Sequence, residues 1–128
     1  MSLRSPVGRV LGLGAAKEGA RHWWQQRVTA VALILLTLWF VSALLRLPDL
    51  GHATVMAWIA QPASTVLLVL LAITAIFHAQ LGLQVVVEDY VAHKGWKIAT
   101  MLVISFTHVV LAALAVFAVL RIAFGAAP

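Results

Sequence analysis

The chain has 128 residues, 63% of them hydrophobic and only 10% charged. A soluble domain carries about 25% charge, so one small water-facing core cannot hide this much apolar surface, and a membrane class follows. Cysteine is absent, which excludes disulfides, thiolate metal sites, cysteine-held iron–sulfur clusters and thiol catalysis, and the net charge of +5 flanks the apolar runs and forms no single nucleic-acid-binding stripe.

The N-terminal segment is basic but lacks the apolar stretch and cleavage site of a secretory signal. "RHWWQQR" reads as the lead-in to a first helix, with Trp23 and Trp24 at headgroup level, where amphipathic rings prefer to sit.

Three apolar runs follow: Val28–Leu45, Ser64–Val87 and Ile98–Phe124. Each meets the need for about 20 apolar residues to cross the hydrocarbon layer. Backbone polar groups in lipid must be satisfied within their own segment, so these runs are expected to be helices, at about 24–46, 63–89 and 95–124. The expected fold class is an all-α membrane protein with three transmembrane helices, forming one membrane-anchor domain over 1–128. "RLPDLGHATVMAWIAQPA" joins the first two, punctuated by Pro48, Gly51 and Pro62, and "ATVMAWIA" within it reads as a short interfacial helix.

The second run holds His78, roughly 15 Å from its C-terminal end at about 1.5 Å per residue, near the bilayer centre. An imidazole there needs a hydrogen-bond partner or a metal. Neutral imidazole is a common axial ligand of haem iron. It also bonds across helices to Ser, Thr or a carbonyl, and spacing alone leaves both readings open. Gly82 at i+4 shares its face and leaves room for a flat macrocycle, or for close helix packing. Val85 and Asp89 continue the stripe.

Glu88, Asp89 and Tyr90 fall where this helix leaves the membrane. Acidic residues oppose the dipole at a helix C-terminus, so basic partners are expected: Arg27, Arg21, Lys94 or another subunit. A phenol beside a carboxylate at the hydrocarbon boundary suits a quinone head group. Tyrosine is also ordinary material of the interfacial belt.

The third run holds His108 at a depth similar to that of His78. Two antiparallel neighbours could clamp one haem within the chain, or His108 could simply bond to a neighbouring helix. Arg4, Arg9, Lys17, Arg21, Arg27, Lys94 and Lys97 fall on one side of the membrane, against Arg46 and Arg121 on the other. The bias places the N-terminus in the cytoplasm, or on the equivalent matrix side.

"HAQLGLQVVVEDYV" resembles the H-x-x-x-G-(x)6-D-Y segment of the succinate dehydrogenase hydrophobic membrane anchor, the smaller of the two anchors of respiratory complex II. The likeness extends to chain length, three helices and the "RVTAVAL" start of the first. It implies a bacterial inner-membrane subunit, with the mitochondrial inner membrane as the lesser alternative. It implies partners: a flavoprotein, an iron–sulfur protein and a second cytochrome b anchor. It implies a haem b shared with that second anchor, with His78 as axial ligand and Gly82 beside it. Arg27, Arg21 and His22 become candidates to meet the haem propionates. Tyr90 and Asp89 become the ubiquinone-site pair. Such a subunit has no catalytic machinery of its own. The alternatives are a self-contained cytochrome b using His78 and His108, a fumarate reductase anchor, and a haem-free membrane protein.

Overall fold

The computed structural model describes residues 16–125. Four helices succeed one another: α1 (Ala16–Leu45), α2 (His52–Ile59), α3 (Pro62–Tyr90) and α4 (Lys94–Phe124). No strand occurs among the described residues. α1, α3 and α4 are each long and apolar enough to cross a membrane. The fold is therefore all-helical with three spans, as composition and run length require. Arg4 and Arg9 lie outside the described residues.

The second and third spans begin and end within one residue of the expected bounds. α1 starts earlier, at Ala16 instead of about 24. The reason is physical. "AKEGARHWWQQR" is rich in good helix formers but too polar to register as a lipid-crossing run. Thirty residues extend about 45 Å, well beyond a hydrocarbon core of about 30 Å. α1 thus continues past the apolar layer as a polar helix, and this polar extension becomes part of the site.

The second span is the central one. α3 packs against both α1 and α4, and among the described residues the two outer helices make no contact with each other. The connection from α3 to α4 is only Val91–His93, which forces the two helices antiparallel.

At the far end, α2 pins α1 to the start of α3. Trp58 is buried, stacks on Trp39 at 6.0 Å between ring centroids and tilts against Phe40 at 6.1 Å. The Thr65 hydroxyl donates to the Ile59 carbonyl at 2.7 Å, closing the corner between α2 and α3. Pro62 occupies the first position of α3, where its missing N–H costs nothing. The expected short helix is present, but its tryptophan folds back onto α1. Removing Trp58 should therefore loosen two helices at once. We expect Trp58→Ala to destabilise the chain by about 3 kcal/mol in detergent unfolding, and exposed Trp24→Ala to change it by less than about 0.5 kcal/mol.

Ahead of α2, Asp49 is fully exposed. A hydrogen bond from the Thr54 side chain and another from the Gly51 N–H, at 2.7 Å, hold its carboxyl below its ordinary value of 3.8. A lowered folded value means that the contribution is present above the ordinary value and is lost as pH falls through the folded one. The Gly51 and Thr54 amide resonances should report this acid transition, and Asp49→Asn should abolish it.

Candidate functional site

His78 faces α1. Its Nδ1 lies 2.8 Å from the Thr29 hydroxyl oxygen, and its Nε2 lies 3.3 Å from the Gln26 amide nitrogen. Thr29 also donates to its own helix, with its hydroxyl 2.8 Å from the Gln25 carbonyl and 3.1 Å from that of Gln26. Gln26 and Thr29 sit three residues apart, so one face of α1 offers both groups to a single imidazole. The histidine is half-buried on this seam.

Gly82 lies on the same seam, one turn further along α3. A Cβ placed there would lie 3.7 Å from the Gln26 amide nitrogen, an ordinary contact. The chain alone would accommodate a methyl, so the glycine is not required by α1–α3 packing. His78, Gly82 and Gln26 are thus brought together.

Beyond them the seam opens into a cavity of about 480 Å³, lined chiefly by His22, Gln26, Gln84, Val85 and Glu88. Two polar atoms of its lining residues, His22 Nε2 and Gln26 Oε1, are buried without a hydrogen-bond partner. Buried polar atoms are nearly always paired, so two orphans from adjacent turns of one helix need an explanation. The stripe expected on α3 is therefore partly present. His78 and Gly82 face α1 and Val85 lines the cavity, while Asp89 is exposed.

Of the three basic candidates near the start of the first span, only His22 joins this seam. Arg27 is exposed and lies over the Trp23 ring, its guanidinium carbon 5.5 Å from the ring centroid. Arg21 is also exposed. Neither arginine lines the cavity, but Trp23, whose ring Arg27 covers, does, beside His22 and Gln26.

The acidic corner differs from expectation in its partner. Lys97, in the first turn of α4, donates to the backbone carbonyl of Glu88 at 2.7 Å. That carbonyl belongs to the last turn of α3 and lacks an intrahelical donor. The Glu88 carboxylate accepts from Gln84 at 3.0 Å. Asp89 and Tyr90 are left exposed, Tyr90 at 83%. Tyr90 is the chain's only tyrosine.

His108 is buried, and its Nδ1 lies 2.8 Å from the Ile104 carbonyl of its own helix. On the side of α3 opposite His78, Gln80 reaches Ser105 of α4 at 3.4 Å. The two histidines therefore belong to different seams, His78 to α1–α3 and His108 to α4. Residues that the sequence did not mark for the site are Thr29, Gln26 and Gln84, and Lys97 stood out only for its charge. The first two carry a usable signal, since His22, Gln26 and Thr29 form a polar stripe at helical spacing leading into an otherwise apolar helix.

The sequence matches the family described as succinate dehydrogenase/fumarate reductase transmembrane subunit over residues 1–120. Among curated proteins, the succinate dehydrogenase hydrophobic membrane anchor subunit of Rickettsia bellii is 34% identical over 90 residues, 70% of this chain and 71% of that protein. The subunit of the same name from Paracoccus denitrificans is 33% identical over 115 residues, 90% of this chain and 88% of that one. That from Rickettsia conorii is 31% identical over 103 residues, covering 80% and 82%. No solved structure matches significantly. With three membrane spans and a family match across nearly its whole length, the chain is a multi-pass membrane protein and belongs to the succinate dehydrogenase/fumarate reductase transmembrane subunit family.

Proposed function

We propose that this chain is the membrane anchor of a succinate:ubiquinone oxidoreductase of the bacterial inner membrane. It acts as a single anchor domain with its N-terminus in the cytoplasm. It holds a flavoprotein and an iron–sulfur protein at the membrane, gives one axial ligand to a haem b shared with a second anchor, and forms part of the ubiquinone site. The observation that carries this reading is the His78 imidazole, near mid-span, whose Nε2 is met, among the described residues, only by a long amide contact at 3.3 Å.

The residues fit a haem. Among the described residues no three His, Asp or Glu side chains gather to hold a metal ion, so a metal bound by protein side chains alone would lack ligands. A porphyrin iron needs only one imidazole from each side. The orphaned His22 Nε2 can donate to a propionate, and Gln26 Oε1 can accept from the water that solvates one. Arg27 and Arg21, being exposed, can meet propionates brought by the assembled complex. Gly82 leaves the α3 backbone open one turn from His78. When bound, the haem supplies one-electron redox chemistry close to the quinone.

Tyr90 is the donor to a quinone carbonyl, and Asp89 beside it orients that donor or relays a proton. Their exposure is what an unassembled half-site requires. Lys97 fixes the end of α3 and hence the position of the pair. The reaction consumes two electrons from succinate and two protons to give quinol. This chain supplies hydrogen-bond donors and a route for protons, not the site of succinate oxidation.

A same-chain clamp by His78 and His108 is not favoured, because His78 faces α1 while Gln80, on the opposite side of α3, meets α4. In the purified complex, we expect His78→Ala to lose the low-spin haem signal and His108→Ala to keep it. The reverse pattern would assign the ligand to His108. Tyr90→Phe should lower succinate-to-quinone turnover about tenfold or more, the loss of one buried hydrogen bond to a reacting group. Succinate reduction of a water-soluble dye should survive in that variant. Equal loss of both activities would indicate misassembly.

A further inference from the structure

We infer that Thr29 is the positioning residue of His78, fixing the proton on Nδ1 and the lone pair on Nε2. This inference rests on the proposed ligand role of His78 and deepens it, by naming the group that makes the imidazole ready for iron.

The argument is one of donors and acceptors. A threonine hydroxyl has one proton and two lone pairs. Thr29 places its hydroxyl 2.8 Å from the Gln25 carbonyl and 3.1 Å from the Gln26 carbonyl, both acceptors. With its proton given to the nearer of these carbonyls, the same oxygen accepts toward His78 Nδ1, at 2.8 Å. Nδ1 then carries the hydrogen, and in a neutral ring the lone pair falls to Nε2.

Gln26 can complete this assignment. Its amide nitrogen, a donor without acceptor capacity, faces Nε2 at 3.3 Å. With the lone pair on Nε2, that orientation pairs donor with acceptor. The Nδ1 bond is short and the Nε2 contact is long, so the two nitrogens are held unequally. Thr29 fixes the ring, and Gln26 covers the reactive nitrogen without holding it hard. A histidine that donates its second N–H to a fixed acceptor is a more basic and better oriented ligand. Thr29 achieves this on the helix next to the ligand, with a β-branched side chain that has few rotamers in a helix. Gln26 keeps Nε2 from standing unpaired in hydrocarbon before a stronger partner arrives.

Two measurements test this. The first uses the full chain, nitrogen-15 labelled at histidine, in lipid nanodiscs without haem, with the His78 signals assigned by their absence in His78→Ala. We expect a protonated Nδ1 and an unprotonated Nε2. Thr29→Ser should keep that pattern, and Thr29→Val, which preserves shape and removes the hydroxyl, should give a mixture of tautomers. A protonated Nε2 in the unaltered chain, or no change in Thr29→Val, overturns the inference.

The second uses the assembled complex. Thr29→Val should retain haem about tenfold less tightly and shift its midpoint potential upward, because the ligand becomes a poorer electron donor. Thr29→Ser should match the unaltered complex. If His78→Ala abolishes the haem signal and Thr29→Val leaves potential and spectrum unchanged, the positioning role is wrong and the ligand role stands. If His78→Ala keeps the haem, the ligand role falls, and the tautomer measurement still decides what Thr29 does. Should Thr29→Val fail to assemble, the nanodisc measurement decides alone, by the same two outcomes.

Discussion

An imidazole in the middle of a hydrocarbon layer has no water to fall back on. Each unsatisfied polar group there costs several kcal/mol, so the chain must supply partners or lose stability. Here α1 supplies them, through Thr29 and Gln26. This one requirement sets the rotational phase of α1 against α3. It explains why His22 and Gln26 turn toward α3 while Arg21 and Arg27 stay exposed. It also puts the polar extension of α1 alongside the last turns of α3, where the cavity forms. The geometry of the site follows from satisfying a single ring.

The far end of the molecule contributes differently. The aromatic group of Trp39, Phe40 and Trp58, with the Thr65 bond across the corner, fixes where α1 ends relative to where α3 begins. A rigid corner at one end and a hydrogen-bonded ring nearer the other leave α1 little freedom to slide or rotate. The two constraints act on the same helix by unrelated means: dispersion and area at one end, directional donors and acceptors at the other.

Much of this was legible in the residues. Run length and apolar content alone placed the three spans, and α3 and α4 agree to one residue. The start of α1 was not legible by that criterion, because its first turns are polar and a search for lipid-crossing segments stops where polarity begins. His78, Gly82 and Val85 were correctly read as one stripe, since i+4 and i+7 fix a helix face. Which neighbour that stripe would meet was not written in the sequence. Phase between two helices depends on side chains of both, and the polar stripe His22, Gln26, Thr29 was visible but not connected to His78. Within the chain, the arginines expected beside the acidic corner do not meet it, for a similar reason. Arg27 found an aromatic ring, and Lys97 found a backbone carbonyl that only the exact end of α3 leaves free.

The absence of contact between α1 and α4 has one more consequence. A closed triangle of helices shields three seams, whereas here each outer span meets only the middle one. Scanning substitutions through the solitary chain would therefore find both flanks silent, with residues such as Leu35 on α1 and Phe106 on α4 indifferent to truncation. The same positions, tested once neighbouring subunits lie against them, would divide into those that still touch only lipid and those that now touch protein. That division would trace the assembled bundle's outline one side chain at a time.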